Sequence, residues 1–190
     1  MENKFRASWS TLSVWAKGDW EKAIKGYFKL EEFKSKAMTA GKDLHKEWEN
    51  EIIKTQCLPL DFGGKKLIKP ETENKLVVQI EDWLELVGVI DCIDSPTIYE
   101  FKSGKTNSES YANEKQIGVY AVLATLSKKF VNIAEIHHYD QSKPIGHRHD
   151  MSIVYLTDSL LKESFNWIET FASEMHMYLT DNKLYEKFNK

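Results

Sequence analysis

Apolar residues recur at every third or fourth position along several stretches of the chain, which is the period of an amphipathic helix. In residues 33–54 this stripe consists of Ala37, Gly41, Leu44, Trp48 and Ile52. Before it, Ser8 or Ser10 could cap a first short helix that Gly18 interrupts. We therefore predict helices in this first part of the chain, over about 110–128 and from Asp158 onward.

Apolar and polar residues alternate in the middle of the chain, and alternation indicates β-strands with one buried face. Such stretches are residues 75–80, 83–93 and 97–102, followed by 133–139 and 151–156. Turn-like Glu81-Asp82 and Ser95-Pro96 separate the first three, which predicts a three-stranded meander. The order of elements predicts an α/β fold of the α+β kind, with a mixed central sheet flanked by helices.

We expect one domain over residues 1–190, because this length is typical of a single compact unit. Its parts are a helical part at 1–56, a sheet with an intervening helix at 75–156 and a C-terminal helix at 158–180. The apolar fraction of 42% argues against disorder, and no apolar run approaches the roughly 20 residues that span a bilayer. Since the N-terminus lacks a secretion or transit signal, we expect a cytoplasmic protein without membrane contact.

The charge distribution leaves two interpretations open. A net charge of −3 gives no overall attraction to nucleic acid, although lysines crowd the first fifty residues. These lysines could follow a phosphate backbone or simply form a solvated helix surface. The two cysteines, Cys57 and Cys92, are too few for a four-cysteine metal site, and we expect both to be packing residues.

Candidate chemistry lies around the predicted turn at Ser95-Pro96. A hairpin centred there places Asp91 across from Glu100, with Cβ atoms about 5 Å apart on one face. Lys102 shares that face by the two-residue period of a strand. Two carboxylates and an ammonium group then converge, which suits a hard cation such as Mg²⁺ and the hydrolysis of a phosphate ester. The alternative is an ordinary cluster of charged residues on an exposed hairpin, without a catalytic role.

The neighbouring residues fit this orientation. The residues expected to point to the opposite face and to fill the core are Ile90, Cys92, Tyr99 and Phe101. Asp94 also alternates to that face and falls at the turn, so we expect Asp91 to carry the chemistry instead.

Several segments together resemble the PD-(D/E)XK nuclease superfamily, in particular its RecB-like exonuclease branch. The resemblance rests first on Gly88-Val-Ile-Asp91 and on Glu100-Phe101-Lys102. The further matches, in order along the chain, are Ser8-Trp9-Ser10-Thr11-Leu12, then Gly41 with His45, and Gln116-Ile117-Gly118-Val119-Tyr120. They cover roughly residues 8 to 120.

The resemblance implies a restriction-endonuclease-like core and a metal-dependent deoxyribonuclease, an exonuclease that hydrolyses DNA phosphodiester bonds with metal-activated water. It implies that Mg²⁺ or Mn²⁺ is held by a nitrogen of His45, by Asp91 and Glu100, and by the backbone carbonyl of Phe101. Taken alone, His45 is a lone helix histidine of the kind that is usually structural or exposed.

The implied catalytic residues are Asp91, Glu100 and Lys102, where the lysine orients or helps to deprotonate the attacking water. Gln116 and Tyr120 join them. Their i, i+4 spacing places both on one helix face, where they could order the water or a DNA phosphate. A tyrosine half-buried at the sheet edge is the alternative.

The resemblance also sets expectations for cofactors and partners. Related nucleases of CRISPR adaptation hold an iron–sulfur cluster with four cysteines, which this chain lacks, so we expect no cluster. DNA, as an end or a single strand, is the implied substrate, and a protein partner in recombination or repair is compatible with the family. The scarcity of arginine suggests a bacterial or phage source. The alternative function is a catalytically inactive nuclease-fold module that binds nucleic acid or regulates another protein.

Three further signals do not change this interpretation. Ser103-Gly104-Lys105-Thr106 resembles the end of a phosphate-binding P-loop, but Tyr99 stands where that motif needs its first glycine. A zinc site is disfavoured, and we expect solvent exposure, for His137, His138, His147 and His149. Stacking on a frayed DNA end or a place in the core are both open for Trp9, Trp15 and Trp20.

Overall fold

The computed structural model describes residues 4–30 and 36–188, with only the backbone described for residues 36–39. Its helices are α1 (Trp9–Ala16), α2 (Trp20–Tyr27), α3 (Lys36–Thr55), α4 (Ser108–Ala112), α5 (Gln116–Leu126), α6 (Asp158–Asp181) and α7 (Leu184–Phe188). Its strands are β1 (Phe5–Ala7), β2 (Glu71–Glu81), β3 (Leu84–Asp94), β4 (Thr97–Ser103), β5 (Ile133–Tyr139) and β6 (His149–Tyr155).

These six strands form one mixed sheet. Strand β3 pairs along one side with β2 in antiparallel orientation. On its other side β3 pairs first with β1, in parallel, and at its end with β4, antiparallel. Strand β4 continues the sheet by pairing in parallel with β5, which pairs antiparallel with β6. The predicted fold class, a mixed sheet flanked by helices, is therefore confirmed.

Several predicted elements are found with small shifts, and two details differ. The meander is present as β2, β3 and β4, and the predicted strand at 133–139 is β5. The single helix predicted over 110–128 is two helices, α4 and α5, because the chain leaves the helix at Asn113 and restarts at Gln116. Strand β1 was not predicted, since three residues are too few to show alternation. The prediction of one domain stays a prediction.

Local sequence explains where the helices begin. Ser8 caps α1 by accepting a hydrogen bond from the amide of Thr11, and Thr157 caps α6 in the same way. Gly18 has a φ of +81°, so it adopts the left-handed conformation that separates α1 from α2. Among the described residues, no helix is both long and apolar enough to cross a membrane.

Helices α5 and α6 cover one face of the sheet. Every residue of α5 from Gln116 to Ala124 is buried, which leaves this helix little contact with solvent. Its glycine, Gly118, lies against Ser164 of α6 so closely that a Cβ placed there would come within 1.9 Å of the serine Oγ. The glycine therefore sets how closely the two helices pack.

Helix α3 covers the opposite face through an aromatic cluster. Trp48 of α3 packs 4.7 Å from Phe62, measured between ring centroids, and 5.9 Å from Phe101 of β4. The indole N–H of Trp48 donates to Asp61 over 2.9 Å. This packing fixes the position of α3 against β4.

The N-terminal tryptophans pack on the last long helix. Trp9 lies 5.6 Å from Trp167 and Trp15 lies 5.4 Å from Tyr178, between ring centroids. Trp15 is buried, so the core interpretation applies to it, and it is not a free stacking surface. Trp20 is exposed but lies against Trp15.

Candidate active site

The candidate site lies where β3 and β4 separate. The two strands pair in the register expected for a turn at Ser95-Pro96, and the paired residues are Cys92–Tyr99, Ile93–Ile98 and Asp94–Thr97. The pairing ends there, so Asp91 and Glu100 do not form the predicted backbone pair. Instead the amide N–H of Phe101 donates to Oδ2 of Asp91 over 2.7 Å. A side chain thus takes the place of a backbone acceptor at the opening between the strands.

The predicted orientation of Ile90 is wrong. Ile90 packs on the α5 side of the sheet, whereas Cys92, only two residues away, packs with Trp48 on the α3 side. Strict alternation would place both on one face, so the strand is irregular at Asp91. The neighbouring strand is irregular at the facing residue, Glu73, which has a φ of +44° and is missing from the β2–β3 pairing. The orientations predicted for Cys92, Tyr99 and Phe101 hold, because these three share the α3 side.

A polar network joins four of the predicted residues. Nζ of Lys102 donates to Oε1 of Glu100 over 2.7 Å and to Oε1 of Gln116 over 3.0 Å. The amide of Gln116 in turn reaches Oε1 of Glu100 at 3.1 Å and the hydroxyl of Tyr120 at 2.9 Å. The structure therefore brings the first turn of α5 against the end of β4, with both helix residues beside the carboxylate.

Glu100 is a carboxylate in a buried position. It is 3% exposed, and its Oε2 atom is buried without a hydrogen-bond partner among the described residues. Burial, with the nearby charge of Asp91 adding to it, raises the pKa of Glu100 to about 7. Burial works against the charged amine of Lys102, but the carboxylate of Glu100 outweighs it and raises the lysine pKa. Both shifts favour the protonated form, for Glu100 mainly because it is buried and for Lys102 because of the neighbouring carboxylate.

His45 approaches Asp91 from α3. Its Nδ1 atom lies 3.8 Å from Oδ1 of Asp91, and its ring packs 5.2 Å from that of Trp48. Burial opposes the charged ring, but the nearby carboxylate of Asp91 outweighs it and raises the pKa of His45. One turn earlier, a Cβ placed on Gly41 would lie 3.3 Å from Oγ of Ser103, so the glycine permits the close approach of α3 to the end of β4.

Asp94 has a different task. Its carboxylate accepts hydrogen bonds from the amides of Ile68 and Lys69, at 2.9 Å and 2.6 Å, and it is buried. These contacts hold the segment that leads into β2. The preference for Asp91 over Asp94 therefore agrees with the geometry.

The site opens into a cleft of about 820 Å³ between α3 and the edge of the sheet. The residues that line it are Gly41, Lys42, His45, Lys46, Glu49, Glu73, Lys102 and Ser103. Sequence reasoning missed Glu49 and Glu73 as members, because nothing in the local pattern of either residue marks it as facing the site. The crowding of lysines in the first fifty residues did signal Lys42 and Lys46.

The site offers carboxylate oxygens to a divalent cation. Among the described residues, no group of three or more His, Cys, Asp or Glu side chains converges as a finished metal site. The carboxylates of Asp91 and Glu100 nevertheless lie close together, and Oε2 of Glu100 is buried without a hydrogen-bond partner in the part of the chain that the structure describes. Mg²⁺ typically takes one or two carboxylates and keeps several waters. The residues present fit such an ion.

The four histidines for which we expected solvent exposure differ in their burial. His147 and His149 are exposed, as expected, but His137 and His138 are buried, so that expectation is wrong for them. The physical reason is their place on β5, a central strand covered on both faces. His137 lies 3.1 Å from His149 and 3.2 Å from Glu135.

Comparison with known proteins gives a likeness of fold. No known sequence family and no curated protein sequence matches the chain. The chain is similar to the alkaline exonuclease LHK-Exo of Laribacter hongkongensis, with a TM-score of 0.62 and 12% identity over 96% of this chain and 93% of that chain.

The complex of LHK-Exo with dAMP gives a TM-score of 0.59 at 13% identity, covering 95% of this chain and 92% of that one. A phage-related exonuclease of Haemophilus somnus gives 0.54 at 12% identity, covering 88% and 83%. At such identities the likeness concerns the fold alone. The chain has the fold of solved exonucleases.

Proposed function

We propose that this protein is a metal-dependent deoxyribonuclease, an exonuclease of the PD-(D/E)XK superfamily and its RecB-like branch. The observation that carries the proposal is the convergence of Asp91, Glu100 and Lys102 where β3 and β4 separate, beside a cleft. The likeness of fold to solved exonucleases supports it, and so does the structure of one of them in complex with dAMP.

In this proposal the cation, Mg²⁺ or Mn²⁺, is held by Asp91 and Glu100, with the carbonyl of Phe101 and a nitrogen of His45 completing the site. Such an ion polarises a phosphoryl oxygen and lowers the pKa of water. The two carboxylate oxygens of Asp91 have different neighbours. Oδ2 is engaged by the Phe101 amide, whereas Oδ1 faces His45 and remains available.

The remaining site residues are Lys102, Gln116 and Tyr120, which position groups of the site or stabilise the charge that develops in the reaction. The ammonium group of Lys102, fixed by Glu100 and Gln116, offers a positive charge to the attacking water and to the phosphate as charge develops on it. Gln116 holds both the lysine and the glutamate. Tyr120 acts through Gln116, so it is a positioning residue in this scheme.

The alternative is a catalytically inactive module that binds DNA or regulates another protein. A decayed site would be expected to lose an acidic residue or the lysine, since nothing would retain them. All three are present: Glu100 and Lys102 meet in one network with Gln116, and Asp91 accepts from the amide of Phe101 between them, which favours the enzyme.

Labelled single-stranded and duplex DNA, incubated with the purified protein and Mg²⁺, Mn²⁺ or EDTA, tests the proposal. We expect cleavage with either ion, none with EDTA and none by Asp91→Asn. Asp82→Asn, which changes an exposed acid in the β2–β3 turn, is the matched control and should cleave normally. Mn²⁺ binding is measured in parallel by calorimetry. DNA binding without cleavage in either ion would establish the inactive module instead.

A further inference from the structure

A histidine–aspartate pair lies on strands β5 and β6, next to β4 in the sheet. His138 is fully buried, and its Nδ1 lies 2.7 Å from Oδ1 of Asp150. Its other nitrogen, Nε2, lies 3.0 Å from the carbonyl oxygen of Gly104. Both ring nitrogens therefore face hydrogen-bond acceptors, which fixes the orientation of the imidazole ring.

The pair is placed directly beside the candidate catalytic lysine. In the parallel pairing of β4 with β5, His138 is the partner of Lys102. Gly104, whose carbonyl His138 holds, follows Lys102 by two residues. The hydrogen bond therefore fixes the chain just after the lysine, where β4 has ended and Gly104 has a φ of +129°.

Asp150 also forms a hydrogen bond with the start of helix α4. Its Oδ2 atom accepts a hydrogen bond of 2.6 Å from the amide of Ser108, the first residue of that helix. Helix α4 carries Tyr111, whose ring centroid lies 5.4 Å from Nζ of Lys102 and 6.0 Å from the ring of His138. The lysine ammonium thus rests against an aromatic ring, a favourable contact, on a helix that Asp150 anchors.

We propose that His138, held by Asp150, is a positioning residue for Lys102, which it fixes through Gly104 and through the ring of Tyr111. The proposal rests on the nuclease function proposed above. It predicts that the His138–Asp150 pair matters for the placement of the Lys102 amine and not only for stability.

The first measurement separates turnover from binding. His138→Gln should lower kcat by about 10- to 100-fold, because an error of about 1 Å in a reacting group has effects of that size. KM and the affinity for Mn²⁺ should change little. Tyr111→Phe should retain activity and Tyr111→Leu should lose part of it, since the ring and not the hydroxyl meets the ammonium. His147→Gln, at an exposed histidine in a turn, is the matched control.

A double-mutant cycle tests whether His138 acts through the lysine. In a Lys102→Met background, His138→Gln should cause no further loss of the residual rate. An undiminished further loss would overturn the proposal, because it would show that His138 acts elsewhere. If His138→Gln does not fold, Asp150→Asn takes its place, since it removes the charge that holds the ring while keeping the shape of the side chain.

A crystal structure of the same variant provides a measurement that needs no activity. We expect Nζ of Lys102 to leave its contacts with Glu100 and Gln116 when the support is lost. Retention of both contacts at their present 2.7 Å and 3.0 Å would reject the inference. A wild-type protein that cleaves no DNA would reject the proposed function instead, while the crystal structure would still decide the placement of Lys102.

Discussion

Glu100 shows most clearly how one residue can be arranged for function at the expense of stability. It is buried next to Asp91, and one of its oxygens has no hydrogen-bond partner in the described part of the chain. We expect Glu100→Gln to abolish cleavage and to remove the stabilisation that Mn²⁺ gives the wild type. Its melting temperature without metal should equal or exceed that of the wild type at pH 8, because a neutral amide replaces a buried charge.

Differential scanning fluorimetry with and without Mn²⁺ measures both effects at Glu100. Glu47→Gln, at an exposed position of α3, should retain cleavage and the metal-dependent shift. An active Glu100→Gln variant in Mg²⁺ would remove this residue from the site.

Replacing Lys102 should lower the rate of the reaction more than it lowers the affinity for the metal ion. Lys102→Met keeps the apolar stem and removes the charge, so we expect a loss in kcat of about 100-fold or more. Its affinity for Mn²⁺, measured by calorimetry, should stay within a few-fold of the wild type. Lys105→Met, at an exposed lysine three residues later, is the control. An equally large loss of metal affinity would show that the lysine builds the metal site.

At this scale the sequence predicted which side chains lie together better than it predicted their surroundings. Turn position and strand period were sufficient to place Glu100 and Lys102 on one face, because both depend only on local geometry. The irregularity at Asp91 was not predicted, since neither strand carries a glycine or proline at this point that would signal it. The surroundings of His138 were not predicted either, because its neighbours come from β4 and β6.

At the scale of elements, the packing of α5 against α6 depends on one glycine. A methyl group at Gly118 would collide with Oγ of Ser164, so Gly118→Ala should lower the free energy of unfolding by about 1–3 kcal/mol. Gly26→Ala is the matched control, because a Cβ there meets no atom within 4 Å; it should be neutral or stabilise by about 0.5 kcal/mol.

Urea denaturation of both variants measures these free energies. Adding Ser164→Ala to Gly118→Ala should recover part of the loss, because it removes the closest atom. Equal midpoints for Gly118→Ala and the wild type would show that α5 and α6 move apart at no cost.

Helices and strands with a long periodic pattern of apolar residues were predicted from the sequence, whereas short elements without such a pattern were not. Helix α6 follows an unbroken apolar stripe, so its position is determined by its own residues. Strand β1 has three residues and exists because β3 offers a free edge next to it. The break between α4 and α5 likewise depends on where α4 packs, against β5 and β6.

At the scale of the whole molecule, the proposed enzyme should need a free DNA end. A net charge of −3 provides little general attraction to duplex DNA, because that affinity comes mainly from clustered lysine and arginine. The cationic residues near the site, Lys42, Lys46 and Lys102, line a cleft whose volume of about 820 Å³ suits a few nucleotides. We expect linear plasmid to be degraded with Mg²⁺ or Mn²⁺ while covalently closed circles persist.

Gel electrophoresis of linear, nicked and closed forms of one plasmid decides between these outcomes. Rapid linearisation of the closed circle would make the protein an endonuclease. Degradation of the linear form should slow as salt is raised from 50 to about 200 mM, because the cleft relies on a few lysine–phosphate contacts.

The irregularity of β3 at Asp91 has a mechanical consequence. The residues on either side of this aspartate, Ile90 and Cys92, are anchored in cores on opposite faces of the sheet. Asp91 therefore lies between two packed cores, so a shift of α3 relative to α5 would change the distance between Asp91 and Glu100. In the proposed enzyme, a compound bound beneath α3 would then weaken the hold of these two carboxylates on a cation without touching either of them.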